Sequence, residues 1–228
     1  MPEQADTGFT ARCLLRAARQ GSLATLADGA PFASLVTPAM SCGGTLLILV
    51  SGLSRHGRHL RQDGRCALLL NGADKAANPQ TTPRLTITGS AEPEPDQALR
   101  DRWLRIHPYG ALYAGFADFT LWRLQPLQAY FVAGFGQVKT ISGQALQPPC
   151  DIAADEAGLC AAANARHHAA LPDGSRIIAL DADGLDLGPG PSLDPDGESR
   201  TRRISFPAAA LTTDSVLNAV ESIFSMTA

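Results

Sequence analysis

The chain has 228 residues, 45% of them apolar and 18% charged, and a formal net charge of −3. This length suits one large domain or a larger domain with a small one, and the slight acidity excludes a typical nucleic-acid-binding protein, which is usually strongly basic. The acidic N-terminus does not fit a signal peptide, and the five scattered cysteines form no C-x-x-C pair, so we expect a cytoplasmic protein without a membrane partner, zinc site or disulfide framework.

The first part of the chain predicts one helix followed by short strands. Apolar residues with helical spacing cover residues 9–20, and Gly21 stands where a C-terminal cap is expected. Apolar and β-branched segments then predict strands at residues 22–27, 31–40, 45–51, 65–71 and 83–91. Turn sequences at Asp28-Gly29 and Cys42-Gly43-Gly44 separate the first three strands, which therefore predict an antiparallel meander.

A helix at residues 95–106 and two more strands, at 119–124 and 127–134, complete this part. Six or seven antiparallel strands with flanking helices predict a small closed or split β-barrel over residues 1–145. The Gly- and Pro-containing segment 143–149 marks a boundary. Beyond it, two helices (154–169 and 215–224), two strands (176–181 and 202–206) and a loop (188–199) predict a small α+β domain over residues 150–228. The fold class is therefore α+β.

Residues 54–65 form the most basic stretch, with four arginines directly after the apolar strand 45–51. Ser54 is suited to cap the helix that begins here. A helix N-terminus offers free N–H groups and the positive end of a dipole, and guanidinium groups add paired donors. The pattern is explained either by an anion site at the rim of the sheet or by a basic helix that faces water.

Several segments, taken in order, resemble one known family. They are residues 21–26, 31–36, 51–56, 83–86, 113–119 and 134–136. Together they resemble the FMN-binding split-barrel proteins related to pyridoxamine 5′-phosphate oxidase, over about residues 10–142. The similarity is greatest to the haem-utilisation branch, whose small appended domain is matched by Asn164-x-x-His167, by residues 181–187 and by Arg203-Ile204-Ser205-Phe206.

The resemblance implies a homodimer that binds FMN at its interface and acts as an oxidoreductase on a small molecule. It assigns the flavin ring to Ser34, Leu35, Val36, Thr37 and Arg84, and the phosphate to Leu49, Val50, Ser51, Ser54, Arg55 and His56. The oxidase has Arg and Lys where this chain has Ser34 and Ala39, and a phosphate-binding Lys where it has His56. Since histidine is only partly charged near neutral pH, we expect weaker phosphate binding and a reaction other than pyridoxamine phosphate oxidation.

The haem-utilisation branch implies a second function, haem binding or haem degradation in iron acquisition. Its iron ligand corresponds to His167, and Asp118 of the other protomer is in a position to orient that histidine. The family's usual acid two residues after the ligand is Ala169 here. A third function, a dimeric module without a cofactor, is favoured by the substitutions at Ser34, Ala39 and His56.

Overall fold

The computed structural model describes residues 6–72, 78–134, 136–148, 152, 155–171, 174–189 and 201–225. Most of the loop predicted at 188–199 lies outside these residues. The helices are α1 (Thr7–Ala17), α2 (Arg55–Gln62), α3 (Gln97–Ile106), α4 (Ala111–Ala114), α5 (Glu156–His167) and α6 (Thr213–Ser225). The strands are β1 (Gly21–Ala27), β2 (Ala30–Val36), β3 (Pro38–Met40), β4 (Leu46–Ser51), β5 (Arg65–Asn71), β6 (Arg84–Pro93), β7 (Phe119–Gly134), β8 (Gln137–Ser142), β9 (Arg176–Asp181), β10 (Gly184–Gly188) and β11 (Arg202–Ser205).

Strands β1 to β7 form a curled antiparallel sheet in the order β2-β1-β5-β6-β7-β4-β3, and β8 pairs with β7. The two ends of this order, β2 and β3, are halves of one segment interrupted at Thr37. One continuous piece of chain therefore supplies both outer strands, which curls the sheet into a split barrel. Apolar side chains fill its interior, among them the fully buried Leu23, Ile48, Leu68 and Leu85. The predicted split barrel with flanking helices is confirmed.

Two of the strand predictions are wrong in detail. The strand predicted at 31–40 is interrupted at Thr37: its first half, β2, pairs with β1, and its second half, β3, pairs with β4. The antiparallel pairings of the predicted meander are therefore present, but the middle strand is divided between the two ends of the sheet. Residues 119–134 form one strand, because Pro126 lies at an irregularity where the register of β6 and β7 shifts next to Gly89. A Cβ atom at Gly89 would lie 2.0 Å from the Gln125 carbonyl oxygen, so only glycine fits at this bulge.

Smaller differences concern the end of one helix and two strands that the sequence does not predict. Helix α1 ends at Ala17, and Gly21 begins β1 instead of capping the helix. Strands β8 and β10 were not among the predicted elements.

Among the described residues no helix is long and apolar enough to cross a membrane.

The C-terminal part contains a second, three-stranded sheet in the order β11-β10-β9. Helices α5 and α6 pack on it around Leu180, Leu185, Val216 and Phe224. This second core also takes in Cys42 from the turn between β3 and β4. The division of the chain into domains at residues 1–145 and 150–228 stays a prediction.

Helix α3 covers the β3 side of the barrel with side-chain donors. The Trp103 Nε1–H donates to the Thr37 carbonyl at 2.9 Å, and the Arg102 Nε–H donates to the Met40 carbonyl at 2.8 Å. The His107 Nε2 lies 2.9 Å from the Pro38 carbonyl and therefore carries the proton in this bond. These three side chains satisfy backbone carbonyls at the outer end of the sheet.

A cluster of buried charges joins the barrel to the C-terminal sheet. The side chains of its central acid, Asp181, and of Asp183 are fully buried. Asp181 contacts Arg16 of α1 at 3.0 Å, Arg102 of α3 at 3.1 Å and Arg203 of β11 at 2.5 Å. We call the following eight residues the buried ion cluster: Arg12, Arg16, Arg102, Arg203, Glu156, Asp181, Asp183 and Asp186.

The buried ion cluster is balanced, with four arginines and four acids. Burial by itself would raise the pKa of Asp181, but the attraction of Arg16 and Arg203 outweighs it and holds the pKa below its usual range. Such a cluster adds little net stability because each charge loses its hydration, whereas removal of one partner leaves an uncompensated buried charge. It therefore specifies how the two sheets pack.

We expect Asp181→Asn to lower the free energy of unfolding by about 3–5 kcal/mol, because three arginines lose their shared anion. Denaturant unfolding followed by circular dichroism measures this change. Asp63→Asn is the matched control, since Asp63 pairs with Arg65 on the exposed surface, and it should leave the unfolding midpoint unchanged. Equal stability of the two variants would contradict the role of the buried ion cluster.

Candidate functional site

The junction of β4 and α2 forms the predicted anion site. Strand β4 is buried on both faces: Leu46, Ile48 and Val50 face the barrel interior, and Leu47 and Leu49 pack beneath α3. This explains the unbroken apolar run in the sequence. The Ser54 Oγ accepts a hydrogen bond from the Gly57 N–H at 3.0 Å, so Ser54 caps α2 as predicted. The strand, turn and basic helix thus follow one another at the sheet rim.

The structure brings Asp118 into this junction. Phe119 pairs with Ser51 in the β4–β7 register, so the residue before β7 lies beside the turn after β4. The Ser51 Oγ–H donates to the Asp118 Oδ2 at 2.5 Å, and the Gly52 N–H donates to the Asp118 carbonyl at 2.7 Å. Ser51 and Asp118 belong to two different predicted sites, but in the structure they form one hydrogen-bonded group.

The first turn of α2 carries two exposed arginines, Arg55 and Arg58, and one histidine with a lowered pKa, His56. The Arg55 guanidinium lies 5.7 Å from the centre of the Phe32 ring. Burial lowers the pKa of His56, and the nearby His59 lowers it further. His56 is therefore mostly neutral at pH 7 and adds little to the attraction for an anion. The His59 ring meets the Phe32 edge, and its Nδ1 lies 3.0 Å from the Thr25 Oγ1.

The residues assigned to the flavin ring are spread over different surroundings. Leu35 is 68% exposed, Val36 is buried, and the Ser34 Oγ is buried with no hydrogen-bond partner among the described residues. The Thr37 carbonyl accepts from Trp103, and the Arg84 Nη1 donates to the Gln80 carbonyl at 3.0 Å. In the structure the Arg84 guanidinium is thus bonded to the segment that precedes β6.

The junction does not fit the phosphate of FMN. The hydroxyl proton of Ser51 is donated to Asp118, and the hydroxyl of Ser54 donates to the Ser51 carbonyl at 2.7 Å. A phosphate would therefore meet a carboxylate where the flavin assignment needs a donor. Asp118 and the neutral His56 both act against the binding of a dianion.

The C-terminal histidine predicted as an iron ligand, His167, is the last residue of α5. Its ring stacks on Phe224 with centroids 5.1 Å apart, and its Nε2 lies 3.5 Å from the Glu221 Oε2. Among the described residues no hydrogen bond engages its Nδ1. The same Glu221 oxygen pairs with the Arg166 Nε at 2.9 Å. The sequence contains no signal for this contact, because Glu221 lies on a different helix, α6.

Asn164 of the same motif has a structural role. Its side-chain amide donates to the Ile177 carbonyl at 2.8 Å and accepts from the Ile177 N–H at 2.8 Å. It therefore acts like a strand neighbour of β9 and fixes α5 against the second sheet. His167 lies one turn further along and has its position set by this contact.

One chain by itself does not bring His167 and Asp118 together. In the part of the chain that the structure describes, Asp118 is bonded to Ser51 and Gly52, and His167 contacts Glu221 and Phe224. No group of three or more His, Cys, Asp or Glu side chains among these described residues is arranged to hold a metal ion.

A cavity of about 870 Å³ lies between α1, the ends of β5 and β7, and the segment after α3. None of the predicted site residues is among its described lining residues. It contains His107, whose Nε2 bonds to the Pro38 carbonyl and whose Nδ1 lies 3.1 Å from the Tyr109 hydroxyl. Burial lowers the pKa of His107 to about 4. Because both ring nitrogens are engaged, His107 is unsuited to bind a metal.

The curled antiparallel barrel, flanked by helices, defines a split-barrel protein. The sequence model of the pyridoxamine 5′-phosphate oxidase family matches residues 10–133, which is more than half of the chain. The chain therefore belongs to this family.

The more specific similarities are to haem proteins. The chain is 31% identical to the non-canonical heme oxygenase HOZ of Arabidopsis thaliana over 58% of its own length and 42% of that protein. It is 29% identical to the heme oxygenase HutZ of Vibrio cholerae over 43% of its own length and 60% of that protein. The chain thus spans about half the length of these curated relatives. The structure of a heme binding protein from Mycobacterium smegmatis is 25% identical, has a TM-score of 0.60, and is matched over 100% of this chain and 99% of that one.

We expect the pKa of His56 to lie below the ordinary value of about 6.5 and to rise in the His59→Gln variant. The rise follows because the positive charge of protonated His59 is removed, and it remains partial because the burial of His56 is unchanged. Titration of the imidazole Cε1–H signals by NMR measures both values. His168→Gln, at an exposed position on α5, serves as the control and should leave the His56 signal unchanged. A His56 pKa above the ordinary value would contradict this account.

Proposed function

We propose that this chain binds haem between two copies of itself and acts in haem degradation, as a haem oxygenase-like protein. The names of its relatives support haem as the ligand, and the poor fit of the β4–α2 junction to a phosphate argues against FMN. An FMN-dependent oxidoreductase is therefore the weaker proposal. Haem would be the small-molecule substrate as well as the bound group.

The observation that carries this proposal is the environment of His167. An imidazole ligand needs a ring nitrogen with a free lone pair, and a hydrogen-bond acceptor at the other nitrogen commonly orients it. The Glu221 carboxylate near Nε2 leaves Nδ1 as the nitrogen for iron. The stacked ring of Phe224 restricts rotation of the imidazole. These residues fit a haem ligand.

When bound, haem would supply the oxygen chemistry at its iron, while the chain positions the group and limits access of water. His167 would hold the iron, and Glu221 would accept the proton of its Nε2. A carboxylate hydrogen-bonded to Nε2 would make the imidazole a stronger donor, and Glu221 would share its Oε2 with Arg166. No further residue of the chain is assigned to the reaction.

The proposed homodimer places Asp118 of one copy near His167 of the other. The bond to Ser51 uses the Asp118 Oδ2. The Asp118 Oδ1 has no hydrogen-bond partner among the described residues. Large apolar side chains in the segments around this carboxylate are exposed: Leu53, after Ser51-Gly52, is 74%, Phe116, two residues before Asp118, is 60%, and Leu112 of α4 is 75% exposed. Neighbouring apolar side chains of this kind are typical of a surface that a partner or a ligand covers. A second copy with haem between the two would bury them.

We expect wild-type protein to show a Soret band when titrated with haemin, and His167→Ala to lose or shift that band. The conservative Glu221→Gln should weaken haem binding by about 10–100-fold, as observed for carboxylates that orient metal-bound histidines. His168→Ala is the control, because it alters the neighbouring exposed histidine. An unchanged band in His167→Ala would remove His167 as the ligand. No haem binding by the wild type would overturn the proposed function.

Co-expression of His167→Ala with Asp118→Ala tests the shared site. If His167 and Asp118 come from different protomers, the mixed dimer contains one intact site and should recover the wild-type spectrum at that site. If both residues come from the same protomer, every site in the mixed dimer carries one defect, and no recovery is expected. Differently tagged subunits allow the mixed dimer to be purified and its absorption spectrum recorded.

A further inference from the structure

A carboxylate of the same chain lies at the anion cradle that begins α2, because the Asp118 Oδ2 accepts the Ser51 hydroxyl proton. The cradle consists of Ser51, Gly52, Leu53, Ser54 and the first turn of α2. We propose that the Asp118 carboxylate occupies it and excludes phosphorylated ligands such as FMN, so that Asp118 determines which cofactor this barrel accepts. This inference concerns flavin binding and does not depend on whether the chain binds haem.

Both serine hydroxyls of the cradle are already engaged within the chain. The Ser51 Oγ donates its only proton to the Asp118 Oδ2 at 2.5 Å, and it accepts from the Leu53 N–H at 3.1 Å. The Ser54 Oγ donates to the Ser51 carbonyl at 2.7 Å and accepts from the Gly57 N–H at 3.0 Å. A phosphate oxygen needs donors, and both hydroxyl protons of the cradle are already committed.

The backbone fixes the carboxylate in this place. The Gly52 N–H donates to the Asp118 carbonyl at 2.7 Å, and the Phe119 N–H donates to the Phe116 carbonyl at 3.0 Å. Strand β7 begins at Phe119, the residue directly after Asp118, and pairs with the end of β4. The side chain therefore approaches the cradle from a closed turn joined to the sheet.

The charges around the cradle also act against the binding of a phosphate. A flavin phosphate carries close to two negative charges at neutral pH and would lie next to the Asp118 carboxylate. Burial and His59 keep His56 largely neutral. The Arg61 Nη1 donates to the Gly52 carbonyl at 3.1 Å, and Arg55 lies against Phe32. No ion pair among the described residues joins Asp118 to an arginine, so its carboxylate would repel a phosphate placed beside it.

Replacement of Asp118 by Asn should convert the cradle into an anion site. The asparagine Oδ1 can accept the Ser51 hydrogen bond, so the geometry is retained while the charge is removed. At the short separations of this site, loss of one like charge corresponds to at least about a tenfold gain in affinity for FMN. Asp118→Ala frees the Ser51 hydroxyl as well and should give an equal or larger gain.

The experiment compares FMN with riboflavin, which lacks the phosphate, by fluorescence titration of the purified full chain. Asp118→Asn should bind FMN at least about tenfold more tightly than wild type, with riboflavin affinity unchanged. Inorganic phosphate should compete with FMN in the variant. The control is Asp101→Asn, which makes the same charge change on the exposed face of α3 and should resemble wild type.

Three results would overturn the proposal. The first is an FMN affinity of Asp118→Asn equal to that of Asp101→Asn. The second is an equal gain for riboflavin, because the effect would then not involve the phosphate. The third is a wild type that already prefers FMN to riboflavin by tenfold or more, and this measurement needs no variant. Haem binding is not measured in any of them, so the result is independent of the proposed function.

Discussion

The contact between Asp181 and three arginines joins the barrel to the described part of the chain beyond residue 150. Arg16 and Arg102 come from helices that pack on the barrel, and Arg203 comes from the second sheet. Arg102 also pairs with Glu156, the first residue of α5. The same cluster therefore fixes the barrel helices, the second sheet and the start of the helix that ends at His167. The buried polar pairs have directional bonds, so they specify one packing where apolar contacts alone would allow several.

This arrangement separates the two parts of the proposed haem site within one chain. His167 is held on the outer layer of the second sheet by Asn164 and Phe224. Asp118 is held at the rim of the barrel by the pairing of β4 with β7. The proposed dimer accounts for this separation, because it lets the two residues come from different copies of the chain.

The fold was predictable from sequence because its strands and helices have strong local patterns. The apolar run of β4 and the Ser54 cap identify the strand–turn–helix junction correctly. The pairing of β4 with β7 was not predictable, since strand partners depend on contacts between distant residues. For the same reason the sequence did not indicate that Ser51 bonds to Asp118 or that Glu221 reaches His167. Pro126 is a turn signal in the sequence, but a bulge accommodates it within β7. The prediction of two separate strands at 119–124 and 127–134 is therefore wrong.

The covering of the Thr37–Met40 segment by α3 has a consequence for solubility. Backbone carbonyls at the outer end of a sheet can recruit a strand from another molecule, which leads to aggregation. Here Trp103, His107 and Arg102 occupy three of those carbonyls with their own N–H groups. Loss of these donors would leave acceptors open to a neighbouring chain, even in a molecule that is otherwise folded. Helix α3 thus protects the barrel from intermolecular strand addition.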